Sequence, residues 1–156
     1  MKWNIEELVE DAFKAYLTSQ VQGSMRVYVA WGFNEPQFPC AVVHVADSEP
    51  VSEDAEWNDN RMMSVSVAVL TENAPEVDSS GDILSTAREI NAAARSDVMN
   101  ALATRDLLTN LIATGTEKVA FSMAQLMNSS RDVAERENTL RTLLTLAVIA
   151  EPVEDS

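Results

Sequence analysis

The chain has one cysteine, one histidine, four glycines and no long apolar run, and each shortage removes a class of function. With Cys40 alone, an internal disulfide cannot form, and a thiolate metal cluster cannot be built from a single chain. With His44 alone, a histidine-based metal site or catalytic triad would have to recruit distant carboxylates. Gly23, Gly32, Gly81 and Gly115 stand isolated, so no glycine-rich cradle for phosphates is present. No apolar stretch approaches the roughly 20 residues of a membrane-spanning helix, and Met1-Lys2-Trp3-Asn4 leads into a charged helix rather than a signal peptide. A cytosol-like compartment is expected, with no membrane partner. Positive charge is scarce too. Eleven basic residues stand against 25 acidic ones, giving a formal net charge of -14, and no Lys/Arg cluster is large enough to neutralise a run of phosphates. Tight binding to a phosphate backbone is therefore disfavoured.

What the chain does have is regular apolar patterning. Its 156 residues at 46% hydrophobic content fit one domain with enough apolar surface to fold alone. Over residues 4–18, Ile5, Leu8, Val9, Ala12, Phe13, Tyr16 and Leu17 recur at the spacing of one helical face. Asn4 followed by Glu7 resembles a capping box that fixes the start of this helix. Three period-two runs follow. In the first, between Met25 and Gly32, Val27, Val29 and Trp31 point one way. Pro36 and Pro39 punctuate the next turn, and Cys40 to Ala46 sets Ala41, Val43 and Val45 on one face. Asp47 to Asn60 then reads as an acidic loop or hairpin carrying Asp47, Glu49, Glu53, Asp54, Glu56 and Asp59 without a base, with Trp57 as its large apolar residue. The third strand, Arg61 to Leu70, alternates Met63, Val65, Val67 and Val69 against Ser64, Ser66 and Ala68.

After a loop holding Pro75 and Gly81, a helix is predicted from about Ile83 to Ala103. Its stripe is Ile83, Ala87, Ile90, Ala94, Val98 and Ala101, widened by Leu84 and Leu102. A short helical turn, Asp106 to Ala113, ends at Gly115. Two more strands, Lys118 to Met127 and Thr139 to Ala150, flank the polar segment 128–138. That segment holds Arg131, Asp132, Glu135, Arg136 and Glu137 and is suited to project as an arm or hairpin tip. Residues 151–156 read as an acidic, frayed tail. The expected fold is α+β: one domain over 1–150 in the order α-β-β-β-α-(α)-β-β. It has a mixed, mainly antiparallel sheet of about five strands covered by two main helices, with projecting segments near 47–60 and 128–138.

The reactive residues do not converge. Cys40 and His44 share a side-chain parity, but four residues along a strand is about 13 Å, too far for direct activation of a nucleophile. The acidic loop lacks the glycine-turned spacing of a calcium-binding helix-loop-helix, which leaves a solvated acidic surface. Trp3, Trp31 and Trp57 read as core or interface anchors, since base stacking on so acidic a chain would lack the usual positive groove. No catalytic, cofactor-binding or metal-binding residue is assigned, and no enzymatic activity is expected.

The order helix, three strands, helix, two strands resembles the tail terminator proteins of long-tailed bacteriophages, also called tail-completion or minor tail proteins. The residues that carry the resemblance are the opening helix Ile5 to Leu17, the strand Arg61 to Leu70, the segment Ile90 to Ile112 and the closing strand Arg141 to Ile149. The resemblance implies a virion part at the tail and neck, assembled in the host cytoplasm. It also implies a homohexameric ring that caps the tail tube protein and meets a head connector or head-closure protein, with genomic DNA passing through the lumen without being held. An acidic wall suits such a conduit because it repels phosphates. An open sheet edge and a charged arm suit ring formation by heterologous contacts. Charge segregation motivates a specific expectation: Arg131, Arg136 and Arg141 pair with the acidic 47–59 loop of a neighbour, with Glu53, Asp54, Glu56, Trp57 and Asp132 among the inter-subunit contacts. The sequence also leaves other readings open, namely another neck component such as a head-closure or connector subunit, or a small acidic hydrolase or cellular adaptor.

Overall fold

The computed structural model describes residues 4–30, 35–51, 60–114, 117–134 and 138–153, with only the backbone for 132–134. Helix α1 (Ile5–Gln20) is followed by strands β1 (Arg26–Val29), β2 (Cys40–Pro50) and β3 (Arg61–Glu72). A small hairpin, β4 (Glu76–Val77) and β5 (Ile83–Ser85), precedes α2 (Ala87–Leu102) and α3 (Leu107–Ala113). Strands β6 (Val119–Ala134) and β7 (Thr139–Pro152) complete the described chain. Five strands form one sheet in the order β1-β2-β3-β7-β6, with β1 parallel to β2 and the remaining pairs antiparallel. The α+β architecture and element order match the sequence reading.

The alternation in the sequence becomes a two-sided sheet. Val65, Val67 and Val69 of β3 and Leu144, Leu146 and Val148 of β7 are fully buried on the core side, joined there by Ala41 and Val43 of β2. Intervening residues such as Ser66, Ala68 and Thr145 are half-buried on the opposite face. Onto the core side pack α1, against β1 and β2, α2, against β3 and β7, and α3, against β6. Tyr16 ties the helices together by donating its hydroxyl to the Ala101 carbonyl at 2.6 Å.

Several boundaries differ from the sequence reading. The second helix begins at Ala87, not near Ile83, because Thr86 and Glu89 form a reciprocal cap there. The Glu89 N–H donates to Thr86 Oγ1, and the Thr86 N–H donates to Glu89 Oε1, both at 3.2 Å. Ile83 and Leu84 therefore leave the predicted helical stripe and lie in β5, 62% and 59% exposed. The expected Asn4–Glu7 box does not form. Asn4 sits at the N-cap with φ -105 and ψ 35, away from extended geometry, and makes no side-chain cap bond. At the segments expected to project, β2 runs on to Pro50 in pairing with β3 and β6 runs on to Ala134 in pairing with β7, while the tips at 52–59 and 135–137 lie outside the described residues. Glu151 and Pro152 belong to β7 rather than to a tail. Gly115 and Trp31 lie outside the described residues. Because the Thr86 cap is the one that forms, Thr86→Ala is expected to lower the unfolding free energy by about 1 kcal/mol in urea titration, with a smaller effect for Asn4→Ala.

Candidate functional site

The residues with the most reactive side chains lie on β2. Cys40 is fully buried at the start of that strand, and burial pushes its thiol up to about 11. A two-unit rise from 9.0 lowers the thiolate fraction at neutral pH about a hundredfold, which makes this an inert core sulfur. Native protein at pH 8 is accordingly expected to react with a thiol-specific disulfide reagent at least about a hundredfold more slowly than urea-unfolded protein. Equal rates would contradict that.

His44 lies further along the strand, with Nδ1 3.4 Å from Glu10 Oε2 of α1. The same carboxylate oxygen accepts the Val45 N–H at 2.9 Å. This geometry follows from the pairing of β2. Its parallel partner β1 reaches only as far as Val43, after which Ala30 donates to the Val43 carbonyl and β1 ends. Beyond that point the outer edge of β2 is taken up by the Glu10 side chain, next to a bulge between Val45 and Asp47. The His44–Glu10 contact is thus part of an edge cover, and Cys40 is not in it. Among the described residues, no group of three or more His, Cys, Asp or Glu side chains is placed to hold a metal ion.

A second place gathers charge. Arg88, Asn91, Ala92 and Arg95 of α2 recur at the spacing of one helical face and form one wall of a groove of about 550 Å³. Arg131 of β6 and Leu140 and Arg141 of β7 form the other wall. Four of the eleven basic residues in the chain thus line one depression. Its position is fixed from beneath by a buried polar contact. Asn91 Nδ2 donates to Thr71 Oγ1 at 2.9 Å, and Thr142 Oγ1 donates to Asn91 Oδ1 at 3.5 Å, which holds α2 over β3 and β7.

Of the residues expected to make inter-subunit contacts, Arg131 is exposed on β6 and lines this groove with Arg141. Asp132 is described by its backbone alone, opposite Arg141 in the β6–β7 pairing. Glu53, Asp54, Glu56, Trp57 and Arg136 lie outside the described residues. Arg88 and Arg95 do not stand out in the sequence. Their seven-residue spacing is readable there, but the strand ends they face are not.

No protein-family model and no curated protein matches the sequence. Among solved structures, a chain in the virion of a native gene transfer agent particle is similar, with a TM-score of 0.53. The likeness is one of fold. It covers 96% of this chain and 97% of that one at 13% identity, so the two share an architecture from end to end.

Proposed function

We propose that this chain is a structural protein of a phage-like virion, and more specifically a tail terminator. In that role it forms a ring that closes the tail tube and presents a seat to the head connector or head-closure protein. The observation that carries this reading is the end-to-end fold likeness to a chain of a gene transfer agent virion, which neither adds nor lacks a domain relative to this one. The charge balance supports it independently. A wall built from a chain of net charge -14 repels a passing duplex, which lets DNA slide rather than stick.

The test is imaging. Negative-stain micrographs of the purified full chain should show closed rings, and a tagged copy in assembled particles should sit at the head-proximal end of the tube. A tag at the portal would assign the chain to the connector instead. A strictly monomeric protein that turns over a small molecule would overturn the virion reading.

A further inference from the structure

Three guanidinium groups are held around one point of the fold. Thr142 of β7 donates to Asn91 of α2 at 3.5 Å, and Thr142 is the register partner of Arg131 on β6. Directly paired residues of an antiparallel ladder share a face, so Arg131 lies on the helix side of the sheet, level with Asn91. Arg88 and Arg95 stand three residues before and four residues after Asn91, on the same face of α2. At about 1.5 Å of rise per residue they are roughly 10 Å apart along the helix axis, with Arg131 in the facing wall of the groove of about 550 Å³.

These charges are not balanced within the described part of the molecule. Among the described residues, the guanidinium groups of Arg88, Arg95 and Arg131 have no ion pair and no hydrogen bond. Arg141, the fourth arginine of the groove, has an interaction of its own. Helix α2 supplies no acid to that face. Glu89 follows Arg88 by one residue and Asp97 follows Arg95 by two, spacings at which helical side chains do not face each other. The Glu89 carboxylate is moreover engaged by the Thr86 N–H. Arg95 is half-buried, so an anion entering the groove meets its charge with less water between them. In a chain with 25 acidic residues against 11 basic ones, this groove is an exception to the charge balance. It is also preformed, because the Asn91 contacts to Thr71 and Thr142 fix α2 over the strands and lower the ordering cost of binding.

A guanidinium is a planar fork that meets a carboxylate or a phosphate with two parallel hydrogen bonds. Two features favour carboxylates on a peptide over the phosphates of a nucleic acid. Ala92 and Leu140 add apolar surface to the lining, which suits side-chain stems and backbone. The net charge of -14 repels a long polyanion outside the groove, whereas a short acidic segment keeps its charge inside it. Residues three apart in an extended segment span about 10 Å, the axial separation of Arg88 and Arg95.

We infer that the groove between α2 and the β6–β7 strands binds an extended acidic segment of a partner protein, whose carboxylates pair with Arg88, Arg95 and Arg131. The contact requires no ring, so it goes beyond the proposed function and stands or falls separately from it.

Titrating the full chain into a fluorescein-labelled hexaglutamate peptide at low salt, followed by anisotropy, tests this. Binding should saturate and should weaken as salt is raised. It should shift the amide NMR signals of residues 88–95, 129–131 and 140–142 more than any others. Arg88→Gln, Arg95→Gln and Arg131→Gln should each weaken binding about threefold, and the three together about thirtyfold. Their melting curves should match that of wild type. Arg105→Gln makes the same charge change at an exposed position outside the groove and should leave the affinity unchanged. Equal weakening by Arg105→Gln would reduce the effect to net charge and overturn the site. Absence of saturable binding, or signal shifts centred elsewhere, would overturn it as well. A duplex DNA fragment or inorganic pyrophosphate that binds more tightly than the peptide, and is lost in the triple variant, would assign the groove to phosphates and overturn the acidic segment as its occupant.

Discussion

Replacing Phe13 with alanine is expected to remove about 3–5 kcal/mol of unfolding free energy. Phe13 is completely buried on α1, and its ring meets Phe121 of β6 edge to face, with centroids 6.0 Å apart and planes at 87°. The pair joins the first helix of the chain to an edge strand far along the sequence, so few local adjustments can close the space that a lost ring would leave. Around it, Val9, Ala12, Tyr16 and Leu17 of α1 are held in the same core, and the Tyr16 hydroxyl bond to Ala101 restrains α1 from sliding inward. The transfer term and an unrelaxed cavity therefore add. Urea titration at low protein concentration should show a lower midpoint with an unchanged slope, since the surface exposed on unfolding stays nearly the same. A loss under about 1 kcal/mol would mean that the site collapses freely and that the packing is looser than the burial indicates. Phe13→Leu keeps most of the volume and should lose less than about half as much.

How far the sequence revealed this structure depended on whether burial was one-sided. Strand β3 was legible because Met63, Val65, Val67 and Val69 face the helices while Ser64 and Ser66 face away. The far half of β6 was not, since Asn128, Ser129, Ser130 and Arg131 are all exposed and carry no alternation. Backbone pairing with β7 makes them a strand. Register shifts between Phe121 and Met123 and between Leu126 and Asn128 broke the period further. Ile83 and Leu84 misled in the other direction. They fall on the helical period of α2, but the Thr86–Glu89 cap starts the helix after them. The parallel pairing of β1 with β2 left no mark in either strand's pattern. For the candidate site, Arg131 and Arg141 stood out as charges beside a polar segment, whereas Arg88 and Arg95 needed the orientation of α2, which the buried Asn91 contacts set.

Replacing Glu10 with alanine tests what guards the edge of β2 beyond the end of β1. Edge strand β6 and the stretch of β2 beyond β1 each carry a device against strand pairing: β6 has its two bulges, and β2 has Glu10. Glu10 is 9% exposed and Val45 7% exposed, so removing the carboxylate leaves a buried amide without its acceptor. The expected loss is about 1–3 kcal/mol. Glu10→Gln retains a carbonyl oxygen that can accept the same N–H and should lose under about 1 kcal/mol, which separates the hydrogen bond from the packing of the side chain. Hydrogen exchange supplies the local readout. The Val45 amide should lose protection in Glu10→Ala, while the amide of Val67 on the neighbouring central strand follows only the global change. An exposed β2 edge also invites pairing with another chain, so Glu10→Ala should aggregate more readily than wild type at equal concentration. If the variant keeps both its Val45 protection and the solution size of wild type, the carboxylate does not guard that edge.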